Sequence, residues 1–140
     1  MTEAAVRALL ARGSGRNFAA TRAGDADPRL SPRLMPGDPE AARLAVQSAV
    51  ARMPRWRVES ASGTVVHATR RTRLFRFVDD VHLVLEPAGT SGRPETRVLA
   101  RSGSRVGRGD LGQNRRNLAE LWRALEALGA RRDTDAAWHG

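Results

Sequence analysis

The distribution of apolar and polar residues predicts two amphipathic helices, one ahead of a set of strands and one behind it. Apolar residues share one helical face over residues 39–53, between an acidic N-cap residue and a proline that ends the helix. A second apolar stripe runs over residues 111–128 and stops at a glycine. Just ahead of it, Asp110 and Gln113 stand at the spacing of a capping box. We therefore expect helices over 39–53 and 111–128.

Between these helices, apolar and polar residues alternate with a period of two in several short segments. Such alternation indicates strands with one buried and one solvated face, as in an antiparallel sheet. The predicted fold class is α+β, with two layers and the element order α-β-β-β-β-α. It has a four-stranded, mainly antiparallel sheet with both helices on one face. The four strand-like segments cover residues 56–60, 64–71, 81–86 and 96–101.

The two ends of the chain give weaker patterns. Residues 1–12 predict a short helix that Thr2 can cap. Residues 16–37 contain three prolines and no periodic pattern, which predicts an irregular arm, either extended or packed along the body of the protein. We divide the chain into a short helix and arm, a single α+β domain and a mobile tail, at residues 1–37, 38–129 and 130–140.

Composition narrows the possible classes of protein. A length of 140 residues fits one domain. The chain has no cysteine, which excludes disulfides and thiolate chemistry. No apolar run approaches the roughly 20 residues of a membrane span, and the first residues lack the pattern of a signal peptide. A cytoplasmic location is the expectation.

The charge of the chain permits weak attraction to acidic partners. The net charge is +9, and all 24 basic residues are arginines, while lysine, isoleucine and tyrosine are missing. That bias is typical of a GC-rich genome and says little about guanidinium chemistry. Aromatic residues make up only 4% of the chain, and Trp56 and Trp122 fall on apolar faces. Few side chains are left to stack on bases, so the pattern disfavours nucleic-acid binding, although the charge allows it.

Residues 101–117 hold the densest set of chemically distinctive side chains, with five arginines and four glycines between a strand and a helix. Glycine backbone N–H groups and guanidinium groups ahead of a helix can bind an anion. Asp110, however, occupies the N-cap where a phosphate would bind, so a structural clamp is the competing interpretation. The residues that could serve in either role are Asp79, Asp80, Arg101, Ser102, Ser104, Arg105, Arg108, Asp110, Asn114 and Arg115.

Asp79 and Asp80 form a second candidate site. Paired carboxylates can hold a metal or divide acid and base roles. Neighbouring residues on a strand point to opposite faces, however, so the two cannot chelate together from a regular strand. We expect one or both to pair with Arg105, Arg108 or Arg115, which would neutralise the arginine-rich segment from within the molecule.

The histidines and serines give little sign of catalysis. His67 and His82 fall on the solvated face of neighbouring strands and could meet, but no third ligand accompanies them. We therefore interpret them as surface histidines and predict no metal and no cofactor. Ser102 and Ser104 lack the Gly-x-Ser-x-Gly pattern of a nucleophile elbow, so no catalytic residue is predicted.

Two segments of the chain resemble the family catalogued as domain of unknown function 1499. They are Phe77-Val-Asp-Asp-Val81 and the run from Arg101 to Arg115. Members of that family, bacterial and plastid-related, carry a similar Asp-Asp segment and an Arg-Ser-x-Ser-Arg-x-Gly-x-x-Asp-x-Gly-x-Asn-Arg run. The similarity covers roughly residues 25–129 of this chain. It supports the fold and the position of the site, and it implies no reaction.

The N-terminal segment departs from the pattern of that family. Many relatives begin with an Asn-Cys-Val-Ser-Ser segment, often after a signal or a membrane anchor. Here the counterpart is Asn17-Phe-Ala-Ala-Thr21, without a cysteine. The departure argues against a cysteine-dependent role and against an exported location.

The favoured hypothesis for function is a small, non-catalytic module that binds another protein, as an accessory subunit or assembly factor of a larger complex. The arm and the face of the sheet away from the helices would be free for contact, the latter through Arg57, His67, Arg71, His82, Arg97 and Arg101. The second hypothesis is a small-ligand or anion-binding protein that uses Arg101, Ser102, Ser104, Arg105, Asn114 and Arg115. The third is an enzyme of undefined reaction.

Overall fold

A computed structural model describes residues 1–72, 77–89, 92–106 and 110–135. Within them the chain forms three α-helices, a short 3-10 turn and seven strands of one sheet. The helices are α1 (Glu3–Ala11), α2 (Pro39–Arg52) and α3 (Gln113–Glu126), and the 3-10 turn is Pro28–Leu30. The strands are β1 (Phe18–Ala20), β2 (Arg33–Pro36), β3 (Trp56–Ser62), β4 (Val65–Arg71), β5 (Val78–Pro87), β6 (Glu95–Ser104) and β7 (Arg131–Arg132).

The sheet is antiparallel at every pairing and larger than the sequence predicts. Its order is β3-β4-β5-β6-β2-β7, with β1 on the same edge of β6 as β2. The four predicted strands are present as β3 to β6. The predicted count of four is wrong, however, because β1, β2 and β7 join them. These strands are two to four residues long, too short for a period-two pattern to show.

The main core lies between α2, α3 and one face of the sheet, as predicted from the apolar stripes. Asp38 caps α2 as expected, since its side chain accepts a hydrogen bond from the backbone N–H of Ala41. Apolar side chains from both helices meet those of β5 and β6. The core includes Val46, Val50, Leu83, Leu85, Val98, Leu118, Leu121, Trp122 and Leu125.

The opposite face of the sheet, called the outer face below, is partly covered by α1. The predicted cap of this helix is present, because Ala5 N donates to Thr2 Oγ1 at 3.1 Å. Val6 is fully buried against Val84 and Leu99 in a second apolar cluster. The prediction that helices cover only one face is therefore corrected. Helix α1 turns one apolar side toward the sheet, which adds a third layer there.

The segment from Arg16 to Gly37 supplies strands to the sheet, where irregular structure was expected. Trp122 Nε1 donates to Arg29 O at 2.8 Å, which attaches the segment to α3 as well. Beyond α3, Asp133 is buried and accepts a hydrogen bond from Arg97 at 2.8 Å. Residues 136–140, part of the predicted mobile tail, lie outside the described residues. In the described parts of the chain, no helix is both long and apolar enough for a membrane span.

Candidate functional site

Buried polar side chains gather where β5 and β6 meet the first turns of α3. Asp79, Ser102, Asn114 and Asn117 are each at most 2% exposed. Polar groups so far from water are stable only when they are hydrogen-bonded, so their partners determine what the site can do. We call these four residues, together with the half-buried Ser104 and Asp110 that contact Asn114, the corner cluster.

Asn114 joins α3 to the end of β6. Its Nδ2 lies 2.9 Å from Ser104 Oγ and 3.0 Å from the carbonyl oxygen of Asn17. Its Oδ1 accepts a hydrogen bond from Ser102 Oγ at 2.6 Å. The same Nδ2 contacts the Asp110 carboxylate at 2.6 Å. One amide side chain thus connects the sheet, the N-terminal segment and the start of the helix.

Asn117, one turn further along α3, joins the helix to β5. Its Nδ2 donates to Asp79 Oδ2 at 2.8 Å and to Ser102 Oγ at 3.1 Å, and its Oδ1 accepts from Gln113 Nε2 at 2.7 Å. Burial raises the pKa of the Asp79 carboxyl above its ordinary value, although the hydrogen bonds from Asn117 and Ser104 act in the other direction. The carboxylate is therefore enclosed within the protein and faces the helix.

Asp110 stabilises the start of α3, but without the predicted capping box. Its two oxygens accept hydrogen bonds from the backbone N–H of Gly112 at 2.9 Å and of Asn114 at 3.2 Å. The side chain of Gln113 reaches Asn117 instead of Asp110, so the reciprocal half of the box is missing. The helix begins at Gln113, two residues later than expected, and its N-cap residue is Gly112, so the prediction that Asp110 occupies the N-cap is wrong. A carboxylate occupies the position that a bound phosphate would need.

Asp80 points to the outer face, opposite Asp79, as the alternation of a strand requires. It accepts two hydrogen bonds from Arg105, at 2.9 and 3.0 Å, and one of its oxygens lies 2.8 Å from His67 Nε2. Partial burial favours the neutral acid, but the hydrogen bonds from Arg105 and His67 outweigh it and lower the pKa of Asp80. The predicted ion pair with Arg105 is confirmed.

The other predicted pairs of the two acids are not formed among the described residues. Asp79 contacts Asn117 where an arginine was expected. Arg115 lies 3.6 Å from Asp27 on the N-terminal segment. Arg108, with Gly107 and Gly109, lies outside the described residues.

His67 and His82 meet on the outer face, as the sequence suggested. Their rings are stacked, with centroids 4.5 Å apart and planes within 9° of each other. His82 is only 6% exposed, so the expectation of surface histidines is wrong for it. Burial, assisted by the charge of His67, lowers the pKa of His82 to about 4. Among the described residues, no three histidine, aspartate or glutamate side chains are grouped as metal ligands.

The outer face is less accessible than the sequence suggests. The guanidinium group of Arg101 lies over the Phe18 ring, 4.8 Å from its centroid. Arg97 binds Glu86 at 3.2 Å and Asp133 at 2.8 Å. Of the six residues proposed for contact, Arg57 and Arg71 are exposed. Since the others are at least partly covered, this face is a poor docking surface as a whole.

Sequence reasoning missed three residues that complete these contacts: Asn17, Phe18 and Asn117. Asn117 carries a usable signal, because it follows Asn114 by three positions and so shares its face of the helix. Phe18 begins the three-residue strand β1 and Asn17 precedes it, so neither residue belongs to a periodic pattern, and only the pairing of β1 with β6 brings them to the site.

A family model described as a protein of unknown function (DUF1499) matches residues 9–125 of the chain. The match includes both resembling segments and most of the predicted N-terminal arm. Neither the curated proteins nor the solved structures include a significant match to the chain.

Proposed function

We propose that this chain, which belongs to the DUF1499 family of unknown function, is a non-catalytic module that binds another protein through Leu111. We propose that it acts in this way as an accessory subunit or assembly factor of a larger complex. The observation that carries the proposal is the conformation of Leu111, a large apolar side chain that is exposed and conformationally strained at the same time.

Leu111 is 92% exposed, more than any other large hydrophobic residue in the described parts of the chain. Its φ angle is +50°, in the left-handed region that costs a residue with a Cβ about 1 kcal/mol or more. A single exposed leucine is ordinary on a protein surface. A leucine that is also held in a strained conformation is uncommon and motivates a functional hypothesis.

Hydrogen bonds on both sides hold Leu111 in place. The preceding N–H, of Asp110, donates to Arg16 O at 3.0 Å, and the following N–H, of Gly112, donates to the Asp110 carboxylate. The carbonyl oxygen of Leu111 itself accepts from Arg116 Nη1 at 3.0 Å. The side chain is thus presented on a fixed backbone, which lowers the entropy lost on binding.

The surroundings of Leu111 indicate the chemistry of the partner. Arg116, whose guanidinium group contacts the Leu111 carbonyl oxygen, is exposed, and Val106, five positions before Leu111 in the chain, is 43% exposed. The exposed Arg116 and the net charge of +9 of the whole chain favour an acidic protein surface as the partner. We expect a partner with an apolar pocket for leucine and carboxylates around its rim.

The contacts of the corner cluster argue against the alternative of an anion site that includes Ser102, Ser104, Arg105 and Asn114. Ser102, Ser104 and Asn114 bind one another, and Arg105 binds Asp80. The Asp110 carboxylate accepts hydrogen bonds from the backbone N–H groups of Gly112 and Asn114. These contacts favour a structural clamp over both an anion site and an enzyme of undefined reaction.

Leu111→Gly is expected to separate folding from binding. Glycine adopts a positive φ without a steric penalty, so the free energy of unfolding should rise by up to about 1 kcal/mol. Loss of the side chain should weaken binding to the partner by about tenfold or more. Chemical denaturation measures the first effect. For the second, a photo-crosslinking residue placed at position 111 in the native host identifies the partner, whose affinity is then measured with purified proteins.

Leu44 provides the matched control, since it is 57% exposed on the regular helix α2. A crosslinker at position 44 should capture no discrete partner, and Leu44→Gly should leave binding unchanged while destabilising its helix. Equal crosslinking from both positions would contradict the proposal, as would a Leu111→Gly chain that binds the captured protein with full affinity.

A further inference from the structure

A second feature, separate from Leu111, lies on the outer face beneath the C-terminal end of α1. Arg101 on β6 and His82 on β5 are directly opposite each other across the two strands. Among the described residues, neither Arg101 Nε nor His82 Nδ1 has a hydrogen-bond partner, and both atoms are buried. Two unpaired buried nitrogens on residues that face each other across a strand pair are unusual in a folded protein, and a bound polar group could satisfy both.

The fold holds the Arg101 guanidinium group in a defined position. One side contacts the Phe18 ring at 4.8 Å from its centroid. Gly103 leaves space for the group, because a Cβ there would come within 2.7 Å of Arg101 Nη1. A side chain fixed in this way loses little freedom when it binds a ligand. The arrangement is that of a preorganised guanidinium fork.

The charges around Arg101 are not balanced. Burial and the nearby charge of Arg12 lower the pKa of Arg101, while Asp80 acts against them. Asp80, however, already receives two hydrogen bonds from Arg105 and contacts His67. One carboxylate thus faces several cationic groups, and an added negative charge would relieve the repulsion between Arg12 and Arg101.

We infer that Arg101 and His82, with Arg12 at the edge, bind a small oxyanion, that is, a carboxylate or phosphate group. A planar guanidinium group recognises two oxygens of such a group at once. An imidazole beside it can donate a further hydrogen bond. A purely structural cation–π contact between Arg101 and Phe18 would explain the stacking but leave both buried nitrogens unpaired.

The test is a titration of the full chain with inorganic phosphate. The imidazole resonances of His67 and His82 in NMR spectra report the binding. Acetate is titrated in parallel, and sodium chloride at matched ionic strength serves as the salt control. We expect saturable shifts with one binding event for phosphate, acetate or both, and no saturation with chloride. Shifts that follow ionic strength alone for all three salts would overturn the inference.

Variants assign the binding to these residues. Arg101→Gln should weaken the binding by about tenfold or more, since it removes the charged fork. Arg12→Gln, at an exposed position, should weaken it a few-fold and tests the site even if Arg101→Gln fails to fold. Arg57, with a side chain 72% exposed on β3, is the control for net charge, and Arg57→Gln should change the affinity less than about twofold. Equal losses of phosphate affinity for Arg12→Gln and Arg57→Gln would contradict the proposed site.

Discussion

Replacement of Asn114 by alanine is expected to lower the free energy of unfolding by about 3 kcal/mol and the melting temperature by about 10 °C. The variant removes the Asn114 amide, whose two hydrogens are shared among Ser104, Asp110 and the carbonyl of Asn17, and it leaves the buried Ser102 hydroxyl without its acceptor. Each buried group that loses its partner contributes a desolvation penalty. Truncation also leaves a small cavity where the amide was packed.

Equilibrium denaturation in urea, monitored by tryptophan fluorescence, measures this effect. Arg123→Ala is the matched control, because Arg123 is exposed on the same helix. Its replacement should change the free energy of unfolding by less than about 0.5 kcal/mol. A loss for Asn114→Ala no larger than that of Arg123→Ala would show that the corner cluster adds little to stability.

Acidification from pH 6.5 to pH 4 is expected to remove about 3 kcal/mol of stability through His82 alone. Burial and the charge of His67 lower the pKa of His82 in the folded protein from 6.5 to about 4. The unfolded chain therefore binds a proton in this window that the folded protein does not. The contribution of His82 is fully present above pH 6.5, declines as the pH falls, and is lost below about pH 4.

Other titrating groups affect the same curve and must be separated from His82. The charged groups that face His82 are His67 on β4, Asp80 on β5, Arg101 on β6 and the amino terminus ahead of α1. On the other face of the sheet, burial raises the pKa of Asp79. The contribution of Asp79 to the free energy of unfolding therefore has the opposite pH dependence. It is present at low pH and is lost as the pH rises above 3.8.

The comparison of the wild-type chain with His82→Leu isolates the effect, since Asp79 is common to both. As the pH falls from 6.5 to 4, the free energy of unfolding of the variant should rise by about 3 kcal/mol relative to that of the wild type. His67→Gln is the control, and it should retain most of the wild-type slope because burial of His82 remains. Parallel stability curves for the wild type and His82→Leu, or an NMR titration of His82 near pH 6.5, would contradict the structure's placement of this ring.

The regular part of the fold could be predicted because its pattern is local. In α2 the N-cap acid, the apolar face and the final proline lie within one stretch, and β3 to β6 are long enough for alternation to show. Strands β1, β2 and β7 could not be predicted this way. They contain at most four residues and are held by pairing with distant strands, which leaves no periodic signal.

The residues of the site could be predicted from the sequence, but their contacts with one another could be predicted only in part. Asp80 and Arg105 pair as expected, because residues at the ends of adjacent strands meet by register. The partner of Asp79 is Asn117, a neutral residue that charge reasoning does not select. His82 lies on the face of the sheet that the alternation predicts to be solvated, but the His67 ring stacks on it, and α1 packs against Val84 and Leu99 on the same face. Such contacts follow from tertiary packing and not from spacing.

The polar residues between β6 and α3 bind each other and so hold the sheet to the helix. A double-mutant cycle on Ser102→Ala and Asn114→Ala tests this central claim most directly, because the Ser102 hydroxyl lies 2.6 Å from Asn114 Oδ1. With unfolding free energies from urea denaturation, the two losses should be coupled by about 1 kcal/mol or more. Losses that add to within about 0.3 kcal/mol would contradict the claim.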